Sequence, residues 1–299
     1  TVAGLAAAIA AAQGDEAGVK IPPLVRVVRE GEMPLSFAQQ RLWLLDQLAP
    51  GNPFYILPGG VRLSGPLSVG ALEAALREVV RRHETLRTGF GNEEGRPVQW
   101  IEPAIELDLP RIDLSSLSEP GPEVARLAAE QARRPFDLAR APLLRVALLV
   151  LGREEHALLF AMHHIVSDGW SLAVLVGEVA RLYSAFCQGE PSPLPELAVQ
   201  YADFSAWQRQ WLQGAVLERQ LSYWQERLSG APIVELPTDR PRPPMQSFRG
   251  ATLRVSWPGE LSESVSALAR ERGISLYMVL LAGFETLVSR WTGQEDVVV

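Results

Sequence analysis

Residues 143–186 read LLRVALLVLGREEHALLFAMHHIVSDGWSLAVLVGEVARLYSAF, and this stretch decides the architecture. Leu143–Leu151 and His156–His163 are two apolar runs with β character, joined by Gly152, Arg153, Glu154 and Glu155, a hairpin-length connection. A tight turn at Ser167–Gly169 follows. Beyond it, Leu172, Leu175, Val176, Val179, Leu182 and Tyr183 recur at the period of a helix that buries one face and runs to about Phe186. A strand, a polar turn and a helix in succession place the turn residues at the end of a sheet, where sites often sit.

Working outward, the spacing predicts helices over Ser36–Leu48 and, capped by Ser68, up to His83. A strand is expected at Pro97–Glu102. Pro191, Pro193 and Pro195 interrupt the chain before two aromatic helical stretches, Tyr201–Gln213 and Leu217–Leu228. Residues 231–244 hold five prolines and read as an extended crossover between lobes. Ser262–Arg272 and Ser275–Arg290 have helical spacing, and no repeat occurs at a solenoid period. The fold class is therefore mixed α/β. With 299 residues, two lobes are expected in place of one core.

Composition excludes several function classes. Hydrophobic residues are 47% and charged residues 21%, a globular balance that suffices to fold. The net charge of −7 gives no basic footprint for nucleic acid, and no Lys/Arg block suggests an anionic membrane. The most apolar long stretch, Ile274–Val288, is broken by Ser275 and Glu285 and is short of a membrane span. Cys187 is the single cysteine, which excludes an internal disulfide or a cysteine-based zinc site and fits a reducing cytoplasm. Thr1–Gln13 is an Ala-rich helical run with no basic n-region before it, unlike a signal peptide. The chain opens inside that run and stops on Val297–Val299, an apolar triplet with the look of a strand beginning, so a piece of a longer polypeptide is expected.

Chemistry concentrates at Met162-His163-His164-Ile165-Val166-Ser167-Asp168-Gly169-Trp170. Successive strand residues face opposite sides, so one histidine of the pair is expected to pack inward and the other to face a cleft. Adjacent histidines do not easily share one metal ion, and no third ligand stands at a familiar spacing. No Gly-x-Ser-x-Gly elbow accompanies Ser167. The residues leave a histidine acting as general base or as orienting donor, with Asp168 as its orienter or in a structural role, capping or bridging. Gly169 is expected to allow a positive φ or a close backbone approach.

The run His163-His164-Ile165-Val166-Ser167-Asp168-Gly169 resembles the HHxxxDG signature of nonribosomal peptide synthetase condensation domains. Three further stretches support the resemblance in the family's order. Ser36-Phe37-Ala38-Gln39-Gln40-Arg41-Leu42-Trp43 looks like its opening motif. Arg82-His83-Glu84-Thr85-Leu86-Arg87-Thr88-Gly89-Phe90 looks like its second, and Tyr201-Ala202-Asp203-Phe204-Ser205-Ala206-Trp207 like its fourth. The likeness covers roughly residues 33–299.

The resemblance implies a chloramphenicol-acetyltransferase-like lobe at 33–190 and, at 191–299, connecting helices and the start of a similar second lobe, the two forming a V-shaped pseudo-dimer. Residues 1–13 resemble the last helix of an upstream carrier domain and 14–32 a linker. Implied is amide formation between a donor aminoacyl or peptidyl thioester and the α-amine of an acceptor aminoacyl thioester. Both substrates ride on phosphopantetheinyl carrier domains, upstream and downstream, with an adenylation domain further downstream. No cofactor or metal is expected on the domain itself. The catalytic histidine maps to His164, its support to His163, and an ion-pairing structural residue to Asp168, with Arg82 as first candidate partner and Arg87 second; Gly169 is a candidate backbone donor. Arg41 is expected either in a buried ion pair or lining the tunnel. Glu84 is expected in a local ion pair, and Trp43, Tyr201, Phe204, Trp207, Trp211 and Trp224 in packing. Trp170-Ser171-Leu172 after the signature suits a condensing domain better than an epimerization domain, and the glycine and serine around the signature resemble the class with an L-configured donor. The alternatives are an epimerization domain, another HHxxxDG acyltransferase, or a non-catalytic carrier-docking module. The family's later motifs find no match, so little turnover is expected from the isolated piece.

Overall fold

The computed structural model describes residues 21–29, 31–244, 251 and 253–299; the helix expected at Thr1–Gln13 lies outside them. The chain divides into two compact units, Thr1–Val216 and Leu217–Val299.

The first unit is built on a four-stranded sheet. Its strands, in spatial order, are Ile56–Ser64 (β2), Glu155–His163 (β7), Leu144–Val150 (β6) and Arg111–Asp113 (β5). β6 and β7 form the hairpin expected from the sequence, paired antiparallel from Leu144↔Met162 to Val150↔His156. β2 adds antiparallel along the other side of β7, and β5 adds parallel to β6. A smaller sheet places Arg96–Ile101 (β4) between Met33–Pro34 (β1) and Thr88–Glu93 (β3).

Helix α1 (Phe37–Leu48) begins at Ser36, whose side chain accepts from the Gln39 N–H while the Gln39 side chain reaches back to the Ser36 N–H, a complete capping box. Ser68 caps helix α2 (Val69–Arg82) as expected. Strand alternation sorts the core between these and two later helices, α3 (Gly121–Arg133) and α4 (Gly169–Cys187). Leu144, Val146 and Leu148 of β6, with Leu158 and Met162 of β7, face a cluster completed by Leu72, Ala75, Leu76 and Val79 of α2 and by Leu182 of α4. Leu149, Ala157 and Leu159 face the other way, toward Val124, Leu127 and Ala128 of α3. The sheet is thus covered on both faces, which accounts for the unbroken apolar runs of its two central strands.

β2, β3, β5 and α3 have no counterpart in the sequence expectations. Pro58-Gly59-Gly60 hides β2, because proline and glycine interrupt the β pattern. The proline is tolerated since β2 is an edge strand, and the glycine has a packing reason. A Cβ on Gly59 would stand 2.1 Å from Cζ of Phe160, whose ring lies across the strand. Val297–Val299 does not form a strand; strand structure needs a partner edge to supply its hydrogen bonds.

By length and composition alone α4 is able to cross a bilayer, whereas the sequence reading singled out Ile274–Val288 as the most apolar stretch. Here α4 packs along α2 instead, with Leu182 and Ala185 buried. Helix α5 (Tyr201–Trp211) lies against α1 and β1, and carries a stack of Tyr201, Phe204, Trp207 and Trp211 with neighbouring centroids 5.4, 5.8 and 4.9 Å apart.

Helix α6 (Gly214–Leu228) crosses into the second unit. Trp224 there is half exposed, with an edge contact to Tyr223. No helix or strand forms over residues 231–244. Helices α7 (Gly259–Arg272) and α8 (Leu276–Thr292) meet at 109°. Both end on glycines with positive φ, Gly273 and Gly293, as left-handed caps require.

Candidate functional site

β7 ends at His163, and the parity of the strand decides where its ring goes. His163 lies on the side of Leu159 and Ala161 and enters a second apolar cluster built from Leu35, Leu42, Phe90, Leu138, Leu143, Ile165 and Val166. Its residue exposure is 3%. Tyr55 and Phe136 flank the ring at centroid distances of 6.4 and 6.3 Å. Burial, and secondarily the neighbouring His164, push its pKa down to about 4, so His163 is neutral at pH 7. Its Nδ1 accepts the Ile165 N–H at 3.1 Å, which assigns the proton to Nε2. Its carbonyl accepts from the Val166 N–H and the Ser167 hydroxyl, both at 3.1 Å. His163 is therefore the pin of the turn that follows it.

His164 is the exposed member of the pair. Its N–H donates to the Tyr55 carbonyl at 2.8 Å, so the end of β2 fixes its backbone. Ile165 and Val166 sink into the core on either side of that turn, and Thr85 donates to the Val166 carbonyl at 3.4 Å. The imidazole lines a cavity of about 410 Å³ together with Arg41, Tyr55, His83, Thr85, Gln200 and Tyr201.

Asp168 is the N-cap of α4. Its carboxylate accepts the Ser171 N–H at 2.8 Å, and its own N–H donates to the Ser171 hydroxyl at 2.7 Å. The Ser171 hydroxyl also donates to the carboxylate, and this bond first, then the Ser171 N–H, hold its pKa below the usual carboxylate value. Among the described residues it makes no ion pair with either expected arginine. Arg82, with its side chain 2% exposed, pairs instead with Glu178 of α4 at 3.3 Å, and Arg87 donates to the Glu102 carbonyl. The reason is placement: Arg82 is the last residue of α2 and lies against the middle of α4, whereas Asp168 faces outward at that helix's start.

Arg41 is exposed at the cavity wall, so the buried ion-pair alternative does not hold. Gly169 has an ordinary φ and open space where a Cβ would stand, against the expected positive φ or close approach. It occupies the first turn of a helix, whose N–H groups have no intrahelical acceptor. Glu84 is buried, but its ion pair is with distant Arg29. Cys187 is exposed at the end of α4.

Three cavity residues, His83, Tyr55 and Gln200, escape the sequence reading. His83 Nε2 lies 2.8 Å from Glu178 Oε2. Burial opposes ionisation of Glu178, yet His83 and Arg82 together keep its pKa below the ordinary value. His83 sits inside a motif already singled out, and Gln200 directly precedes another; adjacency to those motifs is the available signal. Tyr55 has none, because β2 is hidden. Among the described residues, no group of three His, Cys, Asp or Glu is placed to hold a metal ion.

Chemically, the arrangement offers an exposed imidazole on an immobilised turn, beside a helix N-terminus, in an open pocket with mixed polar and apolar walls. That suits a reaction in which a proton is lost and an oxyanion develops.

Comparison with known proteins identifies the family. The condensation-domain profile matches residues 29–299. The chain is 42% identical over 290 residues to malpibaldin synthetase of Mortierella alpina, covering 96% of this chain and 5% of that protein. It is 43% identical over 274 residues to the phosphinothricin tripeptide synthetase PhsC of Streptomyces viridochromogenes, covering 90% of this chain and 25% of that one. The chain thus spans only a small part of the length of these relatives. Among solved structures, the X-domain in complex with OxyB from teicoplanin biosynthesis superposes with a TM-score of 0.79 at 31% identity, covering 92% of this chain and 60% of that one. The first condensation domain of the CDA synthetase gives 0.74 at 28%, covering 90% and 64%. The two sheets and the mixed α/β architecture are those of the chloramphenicol-acetyltransferase-like fold that these domains share. The chain belongs to the condensation-domain family of the nonribosomal peptide synthetases.

Proposed function

We propose that this chain is the catalytic lobe, with part of a second, of a domain that forms an amide between two carrier-bound substrates. The α-amine of the acceptor attacks the donor thioester carbonyl. The tetrahedral intermediate expels the donor's phosphopantetheine thiol, and the proton released by the amine leaves with it. The observation that carries this reading is the division of labour in the histidine pair: His163 buried and neutral, His164 exposed in the cavity on the turn His163 pins.

In this reading His164 hydrogen-bonds the attacking amine and accepts its proton. Thioesters are reactive, so holding the amine in line supplies much of the acceleration. The Gly169 N–H, at the positive end of α4, is the donor we assign to the developing oxyanion. Asp168 acts on α4, as its cap, and leaves the reacting atoms alone. The substrates arrive from an upstream donor carrier and a downstream acceptor carrier, with an adenylation domain beyond, in the cytoplasm. Residues 14–32 are the linker from the upstream carrier, and the donor residue has the L configuration. Phosphopantetheine comes with the carriers.

The test is His164→Ala in the full-length synthetase, with intact-protein mass spectrometry of both carriers. Dipeptidyl transfer should be abolished while the domain stays folded. Near-normal single-turnover condensation in that variant overturns the assignment. A second reading, a binding module, has one observation in its favour: a neighbour of similar fold, the teicoplanin X-domain, was solved in complex with OxyB. It predicts carrier binding indifferent to His164→Ala and no amide from the unaltered synthetase.

A further inference from the structure

Residues 21–29 run without helix or strand over the first unit. Their apolar side chains do not hold them there, since Ile21, Val25 and Val28 are 62, 56 and 70% exposed. Polar pins do. The Trp207 indole N–H donates to the Pro22 carbonyl at 2.7 Å, and the Val27 N–H donates to Asp203 Oδ1 at 2.8 Å. Arg29 then bridges two segments: its Nη1 donates to Asp203 Oδ1 at 2.7 Å and its Nε to Glu84 Oε2 at 2.8 Å.

Both carboxylates are buried, Asp203 at 0% and Glu84 at 5% exposure. Among the described residues, Arg26 lies 3.9 Å from Glu84 and is largely exposed, and Arg87 feels the Glu84 charge without an ion-pair contact, so Arg29 is the cation in close contact with both carboxylates. A buried carboxylate deprived of its cation is costly, and two deprived together repel as well. The same carboxylates sit in the framework of the cavity wall. The Glu84 N–H donates to Gln200 Oε1 at 3.1 Å, Gln200 Nε2 donates to the Arg82 carbonyl at 2.7 Å, and Asp203 accepts the Gln200 N–H at 2.6 Å. His83, Thr85, Gln200 and Tyr201, the immediate neighbours of these groups, line the cavity that His164 faces.

We propose that Arg29 is a positioning residue for the cleft: from the strap of residues 22–29 it neutralises Glu84 and Asp203 and so sets the wall formed by the 83–85 turn and the start of α5. The strap is the later part of the proposed 14–32 linker, so its seating couples the preceding part of the polypeptide to the geometry around His164. This rests on the proposed condensation reaction, and deepens it.

The experiment compares Arg29→Gln, Arg29→Lys, Glu84→Gln and the double variant Arg29→Gln/Glu84→Gln in the full-length synthetase. Arg29→Gln should slow single-turnover amide formation per folded molecule by about tenfold or more, within the hundredfold that misplacement costs, while KM for the acceptor carrier stays within about twofold. Arg29→Lys should recover part of the rate. The double variant should be faster than Arg29→Gln alone, because it removes one orphaned charge. Amide hydrogen exchange at residues 83–88 and 200–204 should quicken in Arg29→Gln. A normal rate with unchanged exchange overturns the proposal, as does a double variant no faster than the single one. If the unaltered synthetase forms no amide, the condensation reading fails, and the exchange data still decide whether Arg29 holds the wall.

Discussion

A buried neutral histidine at the root of the site makes the first unit sensitive to acid in a way that one substitution should remove. His163 has a folded-state pKa of about 4 against an ordinary 6.5. The folded protein therefore resists a proton that the unfolded chain takes readily. Above pH 6.5 both states are neutral and the effect is nil. As the pH falls from 6.5 towards 4 the unfolded state gains a bound proton alone, and stability drops. At about 1.4 kcal/mol per pKa unit, the loss is about 2 kcal/mol at pH 5 and about 3 kcal/mol at pH 4 and below. His163→Asn is the informative variant, since the Asn oxygen can still accept the Ile165 N–H while nothing titrates. Urea denaturation, followed by tryptophan fluorescence and circular dichroism, should be run at half-unit steps from pH 7.5 to 4. Carboxylates such as Glu178 and Asp203, whose pKa values are lowered, weaken both proteins alike as the pH falls and cancel in the difference. The two stability curves should converge in slope above pH 6.5 and diverge below it by the stated amounts, at constant m-value. Parallel curves down to pH 4 would refute the claim that the ring is buried and uncharged.

Two further substitutions test the packing around the site. Asp168→Ala should cost about 1 kcal/mol, the worth of an N-cap, with Asp168→Ser or Asn near neutral in the same melts; a loss above about 3 kcal/mol would instead indicate a buried ion pair. Gly59→Ala drives a methyl into the Phe160 ring and should cost about 1–3 kcal/mol, with Phe160→Leu restoring most of it in the double variant; additive losses would show that the ring is not the obstacle.

Much of the first unit is legible because its signals are local. The β6–β7 hairpin is a pair of apolar runs with a short polar join, and the start of α4 is announced by the turn at Ser167–Gly169. The division of the histidine pair follows from strand parity alone. What stays hidden depends on partners far along the chain. β2 reads as a loop because its Pro58-Gly59-Gly60 is offset by an edge position and by the Phe160 ring, a residue some hundred positions later. The partner of Arg82 is out of reach of sequence for the same reason. Motif order suggests Asp168, but only the packing of α2 along α4 shows that Glu178, about three turns further on, is the carboxylate at hand. Glu84 likewise finds its cation in Arg29, where no helical spacing would place it.

The pairing of Ile56 with His163 has a consequence for how the protein is made. β6 and β7 are neighbours in sequence and can close early, whereas β2 must wait for them across roughly a hundred residues of intervening chain, and long closures are slow. The Tyr55 carbonyl that anchors His164 arrives with β2, and Gln200 and Tyr201 of the cavity wall emerge later still. In this order of closure the hairpin precedes the pocket, and the cavity around His164 is completed by the last of the lobe's long-range contacts.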